Sequence, residues 1–370
     1  MTEIIEPALI MPRKPHHIRD HSGTVSLKEL AAHTGLSQAT VSRVMNGFAT
    51  THRISPATQK RVMDAAAALN YRPNVFARGL RSKRSYTAGV IVPEISEGYS
   101  TTVLGGIEDA LLQSGFFYFV VSHRHREDLL RDYPRLLLER AVEGIIAVDT
   151  AISDELPVPV VAVSGHSHHE TIVNIELDHV LAARYALEHL LTLGHRQIAF
   201  IKGQAFSSDT VFRWDAICQI AKEVGIDIDS RLVVQLQGPA PGTEPGRVAT
   251  CELLQRERAF SAIFAFNDLS AIGAVTALHE AGLRVPADVS VVGFDDILRA
   301  ETNNPAITTV RQPLNEMGRI AATTLLKLIN GEDADRSRVP IRVLPTFIER
   351  ESTSTAPVTI RARGKGSMIS

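Results

Sequence analysis

VSLKELAAHTGLSQATVSRVMNG, residues 25–47, decides how the chain begins to fold. Ser26 followed three residues later by Glu29 has the spacing of a capping box. A short helix is therefore expected over residues 27–32, with Leu27, Leu30 and Ala31 turned inward. Gly35 supplies the left-handed backbone that a tight interhelical turn needs. Ser37 then caps a second helix, residues 38–45, whose Val41, Val44 and Met45 face back while Gln38, Ala39, Ser42 and Arg43 face out. A third helix is expected from its cap Ser55, with Pro56 at the first position, to Leu69. This is the layout of a helix-turn-helix, and its second helix suits a DNA major groove. Gln38 can take adenine bidentately and Arg43 guanine. Thr40 and Ser42 are expected to reach phosphates or cap locally, and Ser37 and Asn46, at the two ends of the helix, complete this set of candidates.

The charges around that stretch agree. Residues 25–84 hold ten Lys and Arg against Glu29 and Asp64, a net of +8, so in a chain of net −2 the other residues sum to −10. A basic module on an acidic body is the footprint of phosphate-backbone binding, where a merely solvated face is the alternative. Residues 1–24 are proline-containing and aperiodic and are expected to be a mobile leader. They lack the apolar core of a signal peptide, and no apolar run of about 18 residues follows, so a cytoplasmic chain without membrane spans is expected. Cys218 and Cys251 lack metal-ligand spacing and are expected as buried small hydrophobes.

Together with ISPATQKRVMDAAAALNYRPNVFARGLRSKRS, residues 54–85, the opening stretch resembles the headpiece of the lactose-repressor/galactose-repressor (LacI/GalR) family, and the likeness extends over nearly all of residues 25–350. The resemblance implies that Gln38 and Ala39 read bases, with Arg43 one turn on. It also implies that residues 75–80, too few for an independently stable helix, form a hinge helix on the operator. There Asn74 and Ala77 would contact DNA, and Leu80 would wedge between minor-groove base pairs beside its symmetry mate. A plain linker with Leu80 in the body's core is the alternative. The loop Phe48-Ala49-Thr50-Thr51-His52 is longer than in the family's namesake.

From Tyr86 on, short β-branched runs alternate with amphipathic stretches. AGVIVP, FFYFVVS, GIIAVD and VPVVAVS form one series of strands, and RQIAFIKG, RLVVQL, SAIFAFN and DVSVVGFD a second. The expected fold is a small all-α helix-turn-helix headpiece plus a two-lobed α/β domain of periplasmic-binding-protein type, its two doubly wound parallel sheets following in series. The domains are 25–72 for the headpiece, 73–84 for the hinge, 85–350 for the two-lobed body and 351–370 for a polar tail. ITTVRQPLNEMGRIAATTLL and the closing strand VLPTFIERES look like further signatures of the family.

Ligands of such sheets sit at the carboxyl ends of the strands, here between the lobes. Arg213 fits the position where the family has an arginine that forks onto effector oxygens. Asp295 could accept paired hydroxyls, and Asn267, Gln312, Ser207, Asp209 and Tyr99 are further candidates. Asp268 and Asp296 are expected to cap the helices that follow them. Tyr99 is the one aromatic in residues 96–101, beside Glu97, and Pro241 stands where the family often stacks an aromatic, so few stacking platforms are expected. By family frequency a carbohydrate is the first choice of effector. His166-Ser167-His168-His169 and His123-Arg124-His125 lack an accompanying Cys or carboxylate at ligand spacing and read as solvated loops, with no metal and no cofactor. No phosphate loop or nucleophile elbow appears, so the expectation is a repressor on a palindromic double-stranded DNA operator and not an enzyme. A small-molecule-binding protein, or an enzyme acting on a sugar or nucleotide, is the alternative. A homodimer through the body is expected, and residues 352–370 contain no leucine heptads for a tetramer.

Overall fold

The computed structural model describes residues 25–71, 84–95, 98–152, 154–165, 169, 171–238, 242–256, 259–332 and 340–357. The expected leader, the hinge residues Asn74, Ala77 and Leu80, together with Glu97, Pro241, residues 166–168 and residues 358–370, lie outside them. The chain divides between Arg84 and Ser85 into two compact units.

The smaller unit packs α1 (Leu27–Thr34), α2 (Gln38–Met45) and α3 (Pro56–Ala68) around Leu30, Val41 and Val62. The capping box forms: Glu29 N donates to Ser26 Oγ at 3.2 Å and Ser26 N to Glu29 Oε2 at 2.6 Å. α1 runs two residues past residue 32, because the Thr34 hydroxyl donates back to Leu30 O at 2.9 Å. The helix stops at Gly35, whose φ of 63° a side chain would resist. Ser37 and Ser55 cap α2 and α3 through the amides of Thr40 and Thr58.

Among its described residues the larger unit holds two six-stranded sheets. The first has the order β11-β5-β4-β3-β1-β2, from β1 (Thr87–Val92), β2 (Phe117–Ser122), β3 (Gly144–Val148), β4 (Val160–Val163), β5 (Ile172–Leu177) and β11 (Ile341–Val343). The second has the order β12-β10-β9-β8-β6-β7, from β6 (Ile198–Lys202), β7 (Val233–Gln235), β8 (Ala262–Ala265), β9 (Ser290–Asp295), β10 (Thr308–Arg311) and β12 (Thr346–Ile348). Between and after the strands run α4 (Tyr99–Gln113), α5 (Glu127–Leu138), α6 (His179–Thr192), α7 (Ser208–Val224), α8 (Glu244–Gln255), α9 (Asp268–Glu280), α10 (Leu298–Thr302) and α11 (Leu314–Asn330). In each sheet the strand order reverses beside the first strand, β1 or β6, and a crevice opens there at the carboxyl ends.

Three expectations need correction. The lobes are not simply in series, because α11 and β11 return to the first sheet before β12 joins the second. Strand-scale patterning is local and carries no record of which sheet a three-residue run such as IRV will join. β12 also pairs antiparallel with β10, so the second sheet is mixed. Finally, the tail does not begin at residue 351. Ser352 is fully buried, its hydroxyl accepting from Thr308 N at 2.8 Å, and Ala356 N donates to Leu193 O at 2.7 Å.

Each lobe contains one helix pair whose backbones touch through glycine. On α4 against α11, a Cβ on Gly106 would lie 1.8 Å from Asn315 O, and one on Gly318 would lie 2.0 Å from Val103 O. On α8 against α9, a Cβ on Gly246 would lie 2.3 Å from Ser270 O, and one on Gly273 would lie 2.0 Å from Thr243 O. Alanine should gain about 1 kcal/mol of helix propensity at such sites. Here the gain is overtaken by the overlap with backbone, which cannot rotate away. Gly318→Ala and Gly273→Ala are each expected to lower stability by about 1–3 kcal/mol or more. Urea unfolding of the full chain measures this, and an unchanged or raised midpoint would show that the helices separate at no cost.

Candidate functional site

In the smaller unit, α2 buries Val41 and Val44 and exposes Gln38, Ala39 and Arg43. The remaining candidates on this helix hold its ends. Ser37 Oγ and Thr40 Oγ1 lie 2.9 Å apart, and Asn46 Nδ2 donates to Ser42 O at 2.7 Å. The long loop after α2 is anchored by buried Ala49, whose carbonyl accepts from Ile54 N at 2.9 Å, while Phe48, Thr50, Thr51, His52 and Arg53 stay exposed.

In the larger unit the strand ends of both sheets meet at a cavity of about 120 Å³. Six of the seven candidates line it: Tyr99, Ser207, Asp209, Arg213, Asn267 and Asp295. Gln312 does not, but it stands behind the wall and donates from Nε2 to Asp295 Oδ1 at 2.7 Å.

Arg213 is buried, its guanidinium carbon 3.7 Å from the ring centre of Phe294 and 4.4 Å from that of Phe266. One turn earlier on α7, Asp209 takes Nη2 on its Oδ2 at 3.0 Å, while Nη1 donates to the Phe266 carbonyl. His179 Nε2, at the start of α6, lies 3.4 Å from the other Asp209 oxygen. The Arg213 Nε has no hydrogen-bond partner among the described residues.

Sequence reasoning missed Asp149. It follows β3, has φ 40°, and accepts from Ser208 Oγ at 3.1 Å, with Ser207 Oγ 3.4 Å away. Ser208 Oγ also lies 2.6 Å from Ser164 O, so the first residues of α7, in one lobe, are tied to strand ends of the other. A signal was present, since GIIAVD ends in an acid just as SVVGFD does. Glu94, Ser100, His125, Gln204, Phe206 and Phe266 also line the cavity without having been nominated.

Several local expectations are corrected. Asn267, and not Asp268, caps α9: its Oδ1 accepts from Ser270 N at 2.9 Å, completing a capping box. Asp268 is fully buried and accepts from Thr309 Oγ1 at 2.6 Å and Ile297 N at 2.9 Å, joining a strand to a loop. Asp296 pairs with Arg311 and Arg350, each at 2.6 Å, and does not cap α10. Its φ of 59° turns the carboxylate toward these two cations. His123 is buried, with Nε2 3.1 Å from Thr150 Oγ1, and His125 packs on Phe206 at 3.9 Å between ring centres, so this segment is no solvated loop. Phe206 and Phe266 supply the aromatic surface expected to be scarce. Cys218 and Cys251 are only half-buried. Among the described residues no helix is long and apolar enough to cross a membrane.

Burial dominates the electrostatics of the cavity. Asp149 and Asp295 are each pushed up to about 7 by loss of water, Asp149 further by the Asp209 charge, with Arg213 pulling both down. Burial also holds the Tyr99 phenol well above its usual value. The site thus offers protonatable carboxyls, one buried guanidinium and aromatic faces, a donor–acceptor set suited to a small polar ligand.

Comparison with known proteins agrees over both units. Residues 26–74 match the family described as bacterial regulatory proteins, lacI family, and residues 187–353 match the periplasmic binding protein-like domain. Catabolite control protein A of Staphylococcus xylosus is 32% identical over 338 residues, covering 90% of this chain and 99% of that protein. A structure of the lac repressor dimer bound to operator and an anti-inducer superposes with a TM-score of 0.79 at 26% identity, covering 90% of this chain and 99% of that one. The transcriptional regulator CelR in complex with cellobiose superposes at 0.65 with 30% identity, covering 89% and 99%.

A raised carboxyl pKa in the folded state means that the folded chain holds protons which the unfolded chain releases. At Asp149 and Asp295 stability is therefore lost as pH rises from about 4 to about 7. Asp149→Asn cannot ionise, and it should lose less Tm than the parent between about pH 5.5 and about pH 8. Equal losses in thermal melts at the two pH values would show that Asp149 titrates as it does in water.

Proposed function

This chain belongs to the lacI family of bacterial regulatory proteins and is a DNA-binding transcription regulator, and we propose that it acts as a cytoplasmic repressor released or retained on its operator by a small polyhydroxylated effector. In this reading residues 25–72 bind DNA, residues 73–84 are the hinge, with 75–80 forming its helix on the operator, and the body of residues 85–350, extended to about residue 356 by the bonds of Ser352 and Ala356, dimerises and senses. The assembly on a palindromic operator is a homodimer, as in the named lac repressor complex. The named relatives are regulators, which favours binding over catalysis.

The observation that carries the reading is the convergence of six candidate side chains from both lobes on one cavity, in a chain whose α2 leaves Gln38, Ala39 and Arg43 exposed. A ligand bridging strand ends of the two lobes changes their relative energies and so can bias whatever the body holds at its amino end. The bound cellobiose of CelR supports a carbohydrate.

Selection of binding sites from random DNA, followed by titration, tests the DNA half. An imperfect palindrome is expected, and Gln38→Ala should relax preference at one symmetric position by about 1–3 kcal/mol per contact. A direct repeat, or no motif, would rule out the two-fold docking. Leu80→Ala should weaken specific binding while leaving salt-sensitive nonspecific binding near its parent level. Equal loss of both would remove Leu80 from the minor groove.

A further inference from the structure

A buried arginine in a ligand cavity ordinarily suggests an anionic ligand, because the guanidinium fork matches carboxylate and phosphate in a two-point grip. Here both tips of that fork already have partners within the protein. Nη2 is held by Asp209 at 3.0 Å and Nη1 by the Phe266 carbonyl, while the ring centres of Phe294 and Phe266 lie 3.7 and 4.4 Å from the guanidinium carbon. The side chain is nine-tenths buried or more, and two of its five N–H groups are spent on these partners, one of which is a carboxylate that balances its charge. A guanidinium already balanced by its own carboxylate can still donate to a hydroxyl or ring oxygen, but it offers little net charge to hold an anion.

The rest of the wall points the same way. Arg213 is the one Lys or Arg among the described residues lining the cavity, and it faces Glu94, Asp149, Asp209 and Asp295. Asp209 cancels its charge within one turn of α7, so an incoming carboxylate or phosphate would meet, among the described residues, an excess of carboxyl groups and no unpaired Lys or Arg. Hydroxyl and ammonium groups, in contrast, bring the donors those carboxyls can accept.

We propose that Asp209, by pairing with Arg213 and balancing its charge, sets the charge class of the effector: the cavity takes uncharged or amine-bearing polyols and rejects sugar acids and sugar phosphates. The proposal rests on the reading of this cavity as the effector site and assigns Asp209 as its specificity determinant.

The test uses the full chain and sugars matched in size. Glucose, galactose and mannose are each compared with the corresponding hexosamine and uronate, by thermal shift and then by calorimetry at neutral pH. The uronate replaces a hydroxymethyl with a carboxylate, so it changes charge with little change in volume. At least one neutral or amine form is expected to bind about tenfold or more tightly than its uronate, a gap of about 1.4 kcal/mol. Asp209→Asn keeps the shape while removing the charge that holds the fork, and it should narrow or invert that ratio. Asp209→Ser should do the same, and cooperative unfolding of both variants shows that they are folded. A uronate that binds the parent as tightly as its neutral form overturns the proposal while leaving the cavity reading standing, and so does a ratio that Asp209→Asn leaves unchanged. Silence from every sugar with parent and variants alike, or binding indifferent to Asp295→Asn, overturns the cavity reading and the proposal with it.

Discussion

Parallel strands place all their carboxyl ends on one edge of a sheet, and this constraint organises the molecule's chemistry. Side chains at or just past the ends of β1, β3, β6, β8 and β9 (Glu94, Asp149, Gln204, Phe266 with Asn267, and Asp295) arrive at the same cavity although some 200 residues of chain separate the first from the last. Helices begin where strands end, so the same edge also gathers helix amino termini and the polar residues that cap them. Asn267 and Ser207 show the overlap, each lying at the start of a helix and in the cavity wall at once. A residue here is seldom purely structural or purely a ligand contact.

That overlap explains how far the sequence could be read. The capping box at Ser26, the stop at Gly35 and the β-branched runs are signals carried within a few residues, and they located the helix-turn-helix and most of the strands. Arg213 and Asp295 were legible because a strand or helix end carried a charged residue of recognisable chemistry. Asp149 carried the same signal and went unread, since only the fold reveals that β3 points its end at α7 of the other lobe. The roles of Asp268 and Asp296 depended on partners 29 or more and 15 or more residues away, Ile297 with Thr309 and Arg311 with Arg350, which no local pattern encodes.

Packing supplies the rigidity against which the cavity works. The glycine contacts at α4 against α11 and at α8 against α9 let backbones approach where side chains would hold them apart. Both helix pairs cover sheet faces, so the strand ends are presented by stiff supports. Against that background several ties between the strand ends of the two lobes are polar or aromatic. Asp149 with Ser207 and Ser208, Ser208 with Ser164, and His125 on Phe206 can exchange with water or ligand at modest cost compared with the apolar cores on either side.

The return of α11 and β11 to the first sheet also fixes an order of events during synthesis. The helix-turn-helix is encoded entirely within residues 25–71 and buries its own core as soon as that stretch has emerged. The first lobe has no such independence, because its outer strand and the helix across α4 are encoded after nearly the whole second lobe. Until residue 330 has left the ribosome α4 presents the bare face around Gly106, and until residue 343 has left it β5 presents an unpaired edge. A nascent chain of this protein therefore carries a finished DNA reader long before it carries a finished sensor. Truncated translation products would be headpieces without control, and they would also be the species with the most sheet edge exposed to aggregation.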